Sequence, residues 1–256
     1  MIIQRDKSII PACDVDLKIF GKIIKETADI EGVGAYKIPA TAGRRGWESW
    51  VETARQFTNK PLIYDHQKAG TDIPDTGKDF MKELKEAGFD AVILFPQSGP
   101  VTEYEWIKAA QGQRLGVIVG GEMTHPRYLS GDKSNGKDKD YTQIFKELGI
   151  ERPFGTIDGF IRESAPEDMY ELAARMGVTD FVMPGNKPDK IGHYKNIVEL
   201  CGIKDPAIYS PGLIVQGGEV SEGAKAAGKR FHGIVGRGIY SAENIRQAAL
   251  DLTSQL

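Results

Sequence analysis

The chain has 256 residues, of which 40% are hydrophobic and 27% are charged, and its formal net charge is −3 at pH 7. This length allows one large core, and the slightly acidic balance argues against a general nucleic-acid-binding or membrane-binding surface. No apolar run is long enough to span a membrane, and the first residues contain no signal-like apolar stretch. Cys13 and Cys201 lack the spacing of metal ligands, so we expect a protein of the reducing cytoplasm.

Short apolar runs alternate with longer segments of helical spacing. In chain order, the predicted strands are Ser8–Asp14, Val33–Ile38, Pro61–Asp65, Ala91–Phe95, Leu115–Gly121, Phe181–Pro184, Ala207–Ser210 and Gly233–Gly236. Helical spacing of apolar residues occurs at Phe80–Ala87, Glu167–Met176 and Ala242–Leu252. Eight strands that alternate with helices predict a single (β/α)8 TIM barrel domain over residues 1–256. A doubly wound open sheet is the alternative, but no Gly-x-Gly-x-x-Gly motif follows the first strand.

One polar segment, at about residues 127–162, does not fit the count of strands and helices. It contains the Gly- and Lys-rich run Ser130–Asp140, which is followed by a short helical pattern, Tyr141–Leu148. We interpret it as an inserted loop and helix after the fifth strand, on the catalytic face of the barrel. Its composition favours mobility, and it is either a lid over the site or a loop without a role.

A charged cluster follows the third predicted strand directly. Asp65, Lys68 and Asp72 place two carboxylates around one ammonium where the strand leaves the core. Charges in such a place are costly unless they pair, and the carboxyl ends of barrel strands are where (β/α)8 enzymes hold their catalytic groups. Taken alone, the cluster is also compatible with an ordinary solvated turn.

Two glycine-rich segments follow the last two predicted strands. They are residues 210–219 and residues 234–241, and the second contains Arg237. In a (β/α)8 barrel the loops after the seventh and eighth strands commonly form a phosphate site. Glycines let backbone N–H groups approach a phosphate, and an arginine adds a bidentate charged contact. Either segment alone would be an ordinary turn, but together they predict a phosphorylated ligand.

Six short motifs occur in a fixed order along nearly the whole chain. They are Pro11-Ala12-Cys13-Asp14, Tyr36-Lys37-Ile38, the cluster from Asp65 to Thr76, Gly121-Glu122-Met123-Thr124-His125-Pro126, Ser210-Pro211-Gly212 with Gln216-Gly217-Gly218, and Ile234 to Tyr240. In joint order and spacing they resemble the archaeal branch of the orotidine 5′-phosphate decarboxylase family. The resemblance implies metal-independent decarboxylation of orotidine 5′-phosphate (OMP) to uridine 5′-monophosphate (UMP) and CO2, in de novo pyrimidine biosynthesis and without a cofactor.

The same resemblance implies a role for each candidate residue. The catalytic residues would be Lys37, Asp65, Lys68 and Asp72, with Lys68 stabilising and protonating the carbanion at C6 of the pyrimidine. The substrate-binding residues would be Asp14, Thr76, Thr124, Pro211, Gln216, Gly217, Gly236 and Arg237. Asp72 and Thr76 would enter the neighbouring subunit's site, which implies a homodimer. The family usually has Asp-x-Lys-x-x-Asp, and here each interval is one residue longer.

Two other functions stay open at this point. The first is a magnesium-dependent sugar-phosphate decarboxylase or aldolase of the same superfamily. The pair Ile73-Pro74 and Gln216 favour the nucleotide substrate over a sugar phosphate. The second is a barrel that binds a nucleotide without catalysis, because the longer lysine loop has changed its geometry.

The four histidines of the chain do not predict a metal site. They are His66, His125, His193 and His232, and no two of them pair at metal-ligand spacing on a helix. We interpret His66, which flanks the charged cluster, as a supporting residue or a surface residue rather than a general base.

Overall fold

Eight parallel strands form one sheet in the order β1-β8-β7-β6-β5-β4-β3-β2. The structure, a computed structural model, describes residues 2–66, 72–132, 145–149 and 159–256. The strands are β1 (Lys7–Pro11), β2 (Tyr36–Pro39), β3 (Leu62–Asp65), β4 (Ala91–Leu94), β5 (Gly116–Gly120), β6 (Asp180–Val182), β7 (Ala207–Ser210) and β8 (Phe231–Val235). Isolated bridges join Ile9 to Val33 and Ala12 to Lys37, so β1 also meets β2 and the sheet closes. The predicted (β/α)8 barrel is confirmed.

Helices follow the strands and cover the outside of the barrel. They are α1 (Leu17–Thr27), α2 (Trp47–Arg55), α3 (Gly77–Glu86), α4 (Pro100–Gly112), α5 (Ala165–Arg175), α6 (Pro188–Leu200), α7 (Val220–Ala227), α8 (Arg237–Tyr240) and α9 (Ile245–Thr253). The Asp16 carboxylate caps α1 by accepting from the Ile19 N–H at 2.8 Å, and Asn244 caps α9 in the same way. Within the described ranges, no helix is both long enough and apolar enough to cross a membrane.

Side chains alternate along each strand between the barrel interior and the layer under the helices. The interior contains Ile10, Ile63, Ala91, Ile93, Ile118, Val182, Tyr209 and Ile234. Tyr36 and Ile38 of β2 pack outward, so Lys37 between them faces the interior. Tyr64 also packs outward, and Asp65 after it therefore faces the interior as well. The period of two thus brings a lysine and an aspartate of adjacent strands to one place.

All eight predicted strands overlap the observed strands, but most of the predicted boundaries are wrong by one to three residues. β6 begins one residue before the predicted Phe181–Pro184, and β8 begins two residues before the predicted Gly233–Gly236. Asp180 is the first residue of β6 and His232 is the second residue of β8, and both are polar but buried. His232 shares a 2.8 Å hydrogen bond between its Nδ1 and Ser8 Oγ. A prediction that relies on apolar residues assigns such buried polar positions to a loop.

The ends of the predicted insertion lie side by side. Leu129 and Ile161 form an isolated parallel bridge. The Ser130 N–H donates to the Ile161 carbonyl at 2.7 Å, and the Ile161 N–H donates to the Tyr128 carbonyl at 3.2 Å. Most of the polar run and the first half of the predicted helix Tyr141–Leu148 lie outside the described residues. The interpretation of residues 127–162 as an insertion stays a prediction.

Candidate active site

A cavity of about 400 Å³ lies at the carboxyl ends of the strands. Seven of the predicted site residues line it, namely Asp14, Lys37, Thr124, Pro211, Gln216, Gly236 and Arg237. They lie on or follow strands β1, β2, β5, β7 and β8, which are spread along the sequence and share one end of the barrel. The fold therefore assembles most of the predicted site in one concave space, at the end of the barrel where (β/α)8 enzymes hold their chemistry.

A buried lysine forms the charged side of the cavity. Lys37 is 3% exposed, and its ammonium contacts the fully buried carboxylate of Asp65. The same Nζ lies 3.6 Å from Asp14 Oδ2. Burial alone would lower the pKa of Lys37, but the charges of Asp65 and Asp14 outweigh it and hold this pKa above its usual value. Lys37 is therefore a fixed cation between two carboxylates.

Other predicted residues lie elsewhere. Lys68, the predicted proton donor, lies outside the described residues. Asp72 is exposed and Thr76 is half-buried, and neither lines the cavity of this chain. The backbone of this segment is held by α4, because Trp106 Nε1 donates to the Ile73 carbonyl at 3.1 Å. Gly217 lies in the loop after β7 but is not among the residues that line the cavity.

His66 is buried, so its interpretation as a surface residue is wrong. Its ring lies 5.0 Å from the Trp106 ring in a stacked arrangement and 4.6 Å from the Phe80 ring. Burial lowers the pKa of His66 to about 4, although Asp65 and Asp72 favour its charged form. His66 is thus neutral at neutral pH, and its ring packs against the aromatic rings of Phe80 and Trp106.

The loop after β7 is tightly folded next to Arg237. The Ile214 N–H donates to the Gly218 carbonyl at 2.6 Å, and the Gly218 N–H donates to the Gly212 carbonyl at 3.2 Å. Gly212 has a φ of +87°, and a Cβ there would lie 2.7 Å from the side chain of Thr124, so only glycine fits. Within the described residues, Arg237 forms no ion pair, which leaves its guanidinium available to an anion in the cavity.

Curated relatives identify the family of the chain. It is 29% identical to orotidine 5′-phosphate decarboxylase of Methanosarcina mazei over 258 residues, which cover 99% of this chain and 96% of that protein. It is 30% identical to orotidine 5′-phosphate decarboxylase of Methanosarcina acetivorans over 196 residues, which cover 77% of this chain and 72% of that protein. The chain belongs to the orotidine 5′-phosphate decarboxylase family. No protein-family model matches it.

Solved structures of this decarboxylase share the fold. One is orotidine 5′-monophosphate decarboxylase from Methanocaldococcus jannaschii, complexed with inhibitor BMP. Its TM-score to this chain is 0.73 at 21% sequence identity, and the match covers 99% of each chain. The enzyme from Pyrococcus horikoshii has a TM-score of 0.67 at 22% identity. At these identities the likeness supports the barrel, and the site must be argued from this chain's own residues.

The sequence of this family member did not reveal an ion pair beside the cavity. Glu122 lies in a quoted motif but had no assigned role, and its side chain is fully buried. Lys187 Nζ lies 2.6 Å from Glu122 Oε1, and the Tyr194 hydroxyl donates to the same carboxylate.

The sequence analysis also missed the apolar wall of the cavity, which contains Ala12, Phe95, Met123, Leu213, Val215, Ile234 and Tyr240. The only signal for the wall is that these residues lie next to predicted site residues.

Proposed function

We propose that this chain is an OMP decarboxylase, a carboxy-lyase that converts OMP to UMP and CO2. The observation that carries the proposal is one cavity with a buried Lys37–Asp65 pair and with Arg237, which forms no ion pair to the described residues, in a chain that belongs to this family. A cation suits a ring on which negative charge develops as CO2 leaves, and the arginine suits the phosphate of a nucleotide. Because UMP is the product of this reaction, the proposal places the chain in the pathway that makes UMP.

The chemistry requires a cation and a proton donor at one carbon. When the bond between C6 and its carboxylate breaks, CO2 leaves and the electron pair stays on C6. In our proposal the Lys68 ammonium stabilises this negative charge and then gives its proton to C6. Asp65 and Asp72 hold the ammonium in place and keep it charged. No metal or organic cofactor takes part in this scheme.

Lys37 and Asp14 organise the ribose side of the substrate in this proposal. Asp14 keeps 27% of its side chain exposed, so its carboxylate can accept hydrogen bonds from ribose hydroxyls. Lys37 balances negative charge on the buried Asp65 carboxylate, and burial of that charge is costly without cations beside it. Lys37 lies near both Asp14, which we propose binds the ribose, and Asp65, which we propose lies at the reacting ring.

The remaining cavity residues are proposed to bind the parts of the nucleotide that do not react. Arg237 and Gly236 take the phosphate, Gln216 bridges phosphate and base, and Thr124 and Pro211 contact the pyrimidine. Binding energy from such remote groups positions the substrate and stabilises the closed site during the reaction.

We also propose a homodimer in which Asp72 and Thr76 enter the neighbouring site. Two observations support it: both residues lie outside the cavity of their own chain, and Ile73 between them is 60% exposed. The hydrogen bond from Trp106 to the Ile73 carbonyl fixes the backbone of this segment to α4. A second copy of the chain is the natural recipient of such residues.

The deciding experiment is the loss of OMP absorbance on addition of purified protein, with and without EDTA. We expect decay to UMP that EDTA does not change. Lys68→Ala should nearly abolish turnover while UMP still binds, whereas the exposed lysine of α3, in Lys78→Ala, should have no effect. Binding of UMP without decay would support the non-catalytic barrel. Turnover of sugar phosphates that EDTA abolishes would support the magnesium enzyme.

The shared site is tested by mixing two inactive variants, Lys68→Ala and Asp72→Ala. In a mixed dimer, one of the two sites has both native residues. After subunit exchange we expect about a quarter of the wild-type activity. An absence of recovery, with exchange confirmed by native mass spectrometry, would mean that Asp72 acts within its own chain or not at all.

A further inference from the structure

The loop between β6 and α6 connects two walls of the cavity. None of its described residues lines the cavity. However, Asn186 Nδ2 donates to the Thr124 carbonyl at 3.0 Å, and the Gly185 N–H donates to the Pro211 carbonyl at 2.8 Å. Thr124 and Pro211 line the cavity from the loops after β5 and β7. The loop after β6 therefore holds both walls at once.

A buried ion pair fastens this loop to the first of the two walls. Lys187 Nζ lies 2.6 Å from Glu122 Oε1 and 3.3 Å from the Met123 carbonyl. The hydroxyl of Tyr194, from the middle of α6, donates to Glu122 Oε2. Glu122 thus joins three elements, two residues before Thr124.

The surroundings of Glu122 favour a single arrangement. Its side chain is 0% exposed, and that of Lys187 is 23% exposed. Water cannot replace a lost partner of a carboxylate buried in this way, so any movement of the loop leaves a buried charge uncompensated. Burial, and then the contact with Glu122, raises the pKa of Tyr194 far above its usual value, so that its hydroxyl remains a donor.

We propose that Glu122, Lys187 and Tyr194 are positioning residues, which set the Thr124 wall relative to the Pro211 wall and thereby orient the pyrimidine of the substrate. This inference rests on the proposed function and extends it to residues that touch no reacting atom. A displacement of about 1 Å in a substrate-orienting wall is enough to lower a rate by about 100-fold. A pair that only stabilised the barrel would have no such effect.

The test compares Lys187→Met, Tyr194→Phe and Lys187→Arg in the full-length protein. We expect Lys187→Met to lower kcat/KM for OMP by about 10- to 100-fold and to weaken UMP binding, with a smaller loss in Tyr194→Phe. Lys187→Arg should recover most of the activity, because a guanidinium can still reach the carboxylate. If Lys187→Met does not fold, Tyr194→Phe, which keeps the ion pair, carries the same test.

Matched controls come from the other end of the barrel. Arg55 Nη2 forms a 2.8 Å ion pair with Asp90, and the Tyr209 hydroxyl donates to the buried Asp180 at 2.9 Å. Arg55→Met removes a more exposed ion pair and Tyr209→Phe removes a buried hydrogen bond to a carboxylate, and neither interaction involves a residue that lines the cavity. The proposal is overturned if Lys187→Met stays within about twofold of wild type, or if the controls lose as much kcat/KM at an equal loss of Tm.

A second readout separates this inference from the proposed function. If the wild-type chain does not decarboxylate OMP, the proposed function fails whatever the variants do. The dissociation constant of UMP, measured by titration calorimetry, then still reports the wall positions. A larger dissociation constant for UMP in Lys187→Met, with unchanged dissociation constants in both control variants, supports the inference. Equal constants in all variants overturn it.

Discussion

Polar groups are buried at both ends of the barrel, but their surroundings differ. At the amino end, Ser8 pairs with His232 and Tyr209 pairs with Asp180 inside the barrel. At the carboxyl end, Lys37 also pairs with a buried carboxylate, but it borders an open cavity. The comparison shows that pairing makes a buried polar group tolerable, whereas adjacent empty space makes it chemically useful. Mutations at the two ends should therefore separate activity from stability.

The largest effect is expected from Lys37→Met at the carboxyl end. The variant removes the Lys37 ammonium that contacts the buried carboxylate of Asp65, which should destabilise the fold by about 3–5 kcal/mol and lower kcat/KM by at least about 100-fold. Urea unfolding and steady-state kinetics measure the two losses. The double variant Lys37→Met/Asp65→Asn should recover stability but not activity. Recovery of both would show that Lys37 has only a structural role.

Arg237→Ala should change substrate affinity more than turnover. The loss of a charged contact to phosphate is expected to raise KM by about 10- to 100-fold, with a smaller change in kcat. The control is Arg246→Ala in α9, which removes an exposed arginine that is paired with Asp29. An unchanged KM in Arg237→Ala would place the phosphate elsewhere in the cavity.

Tyr209→Phe tests the amino end by itself. It removes the hydrogen bond to the buried Asp180, so the free energy of unfolding should fall by about 2 kcal/mol. Because this pair lies away from the cavity, kcat/KM should stay within about twofold of wild type. A loss of activity without a loss of stability would contradict the division between the two ends.

The smallest effect is expected from His66→Phe, and it depends on pH. The pKa of His66 is about 4 in the folded chain, below the usual value of 6.5, so between these values the unfolded chain binds more protons. Wild-type stability therefore falls as the pH drops below about 6.5, and His66→Phe should remove part of this loss, about 1–2 kcal/mol at pH 5. Urea unfolding at pH 5 and pH 8 measures it. An equal gain at both pH values would assign the effect to packing instead.

The sequence was sufficient for the barrel and for residues that follow strand ends. Asp65 was predicted because it ends a short apolar run, whereas Lys37 was predicted from the family resemblance; in the structure, the alternation of a strand turns both side chains inward. The Ala207–Ser210 strand was placed without error for the same reason. The local sequence pattern is enough to place a strand and its end, because both depend on residues that are close in the chain.

The buried ion pair of Glu122 and Lys187 could not be predicted in this way. These residues are 65 positions apart, and they meet because the loop after β6 packs against the loop after β5. A lone charged residue after a strand is most often solvated, so neither position signals burial. Asp180 and His232 were misread for a related reason, because a polar residue inside a closed barrel has no apolar pattern to reveal it.

The bridge between Leu129 and Ile161 has a consequence for engineering. It joins the two ends of the predicted insertion, so we expect the barrel to tolerate changes in the length between them. For a loop with fixed ends, each doubling of length costs only about 0.6 kcal/mol of closure entropy. This segment is therefore the place where a reporter domain or an affinity tag can be inserted while the catalytic end of the barrel keeps its shape.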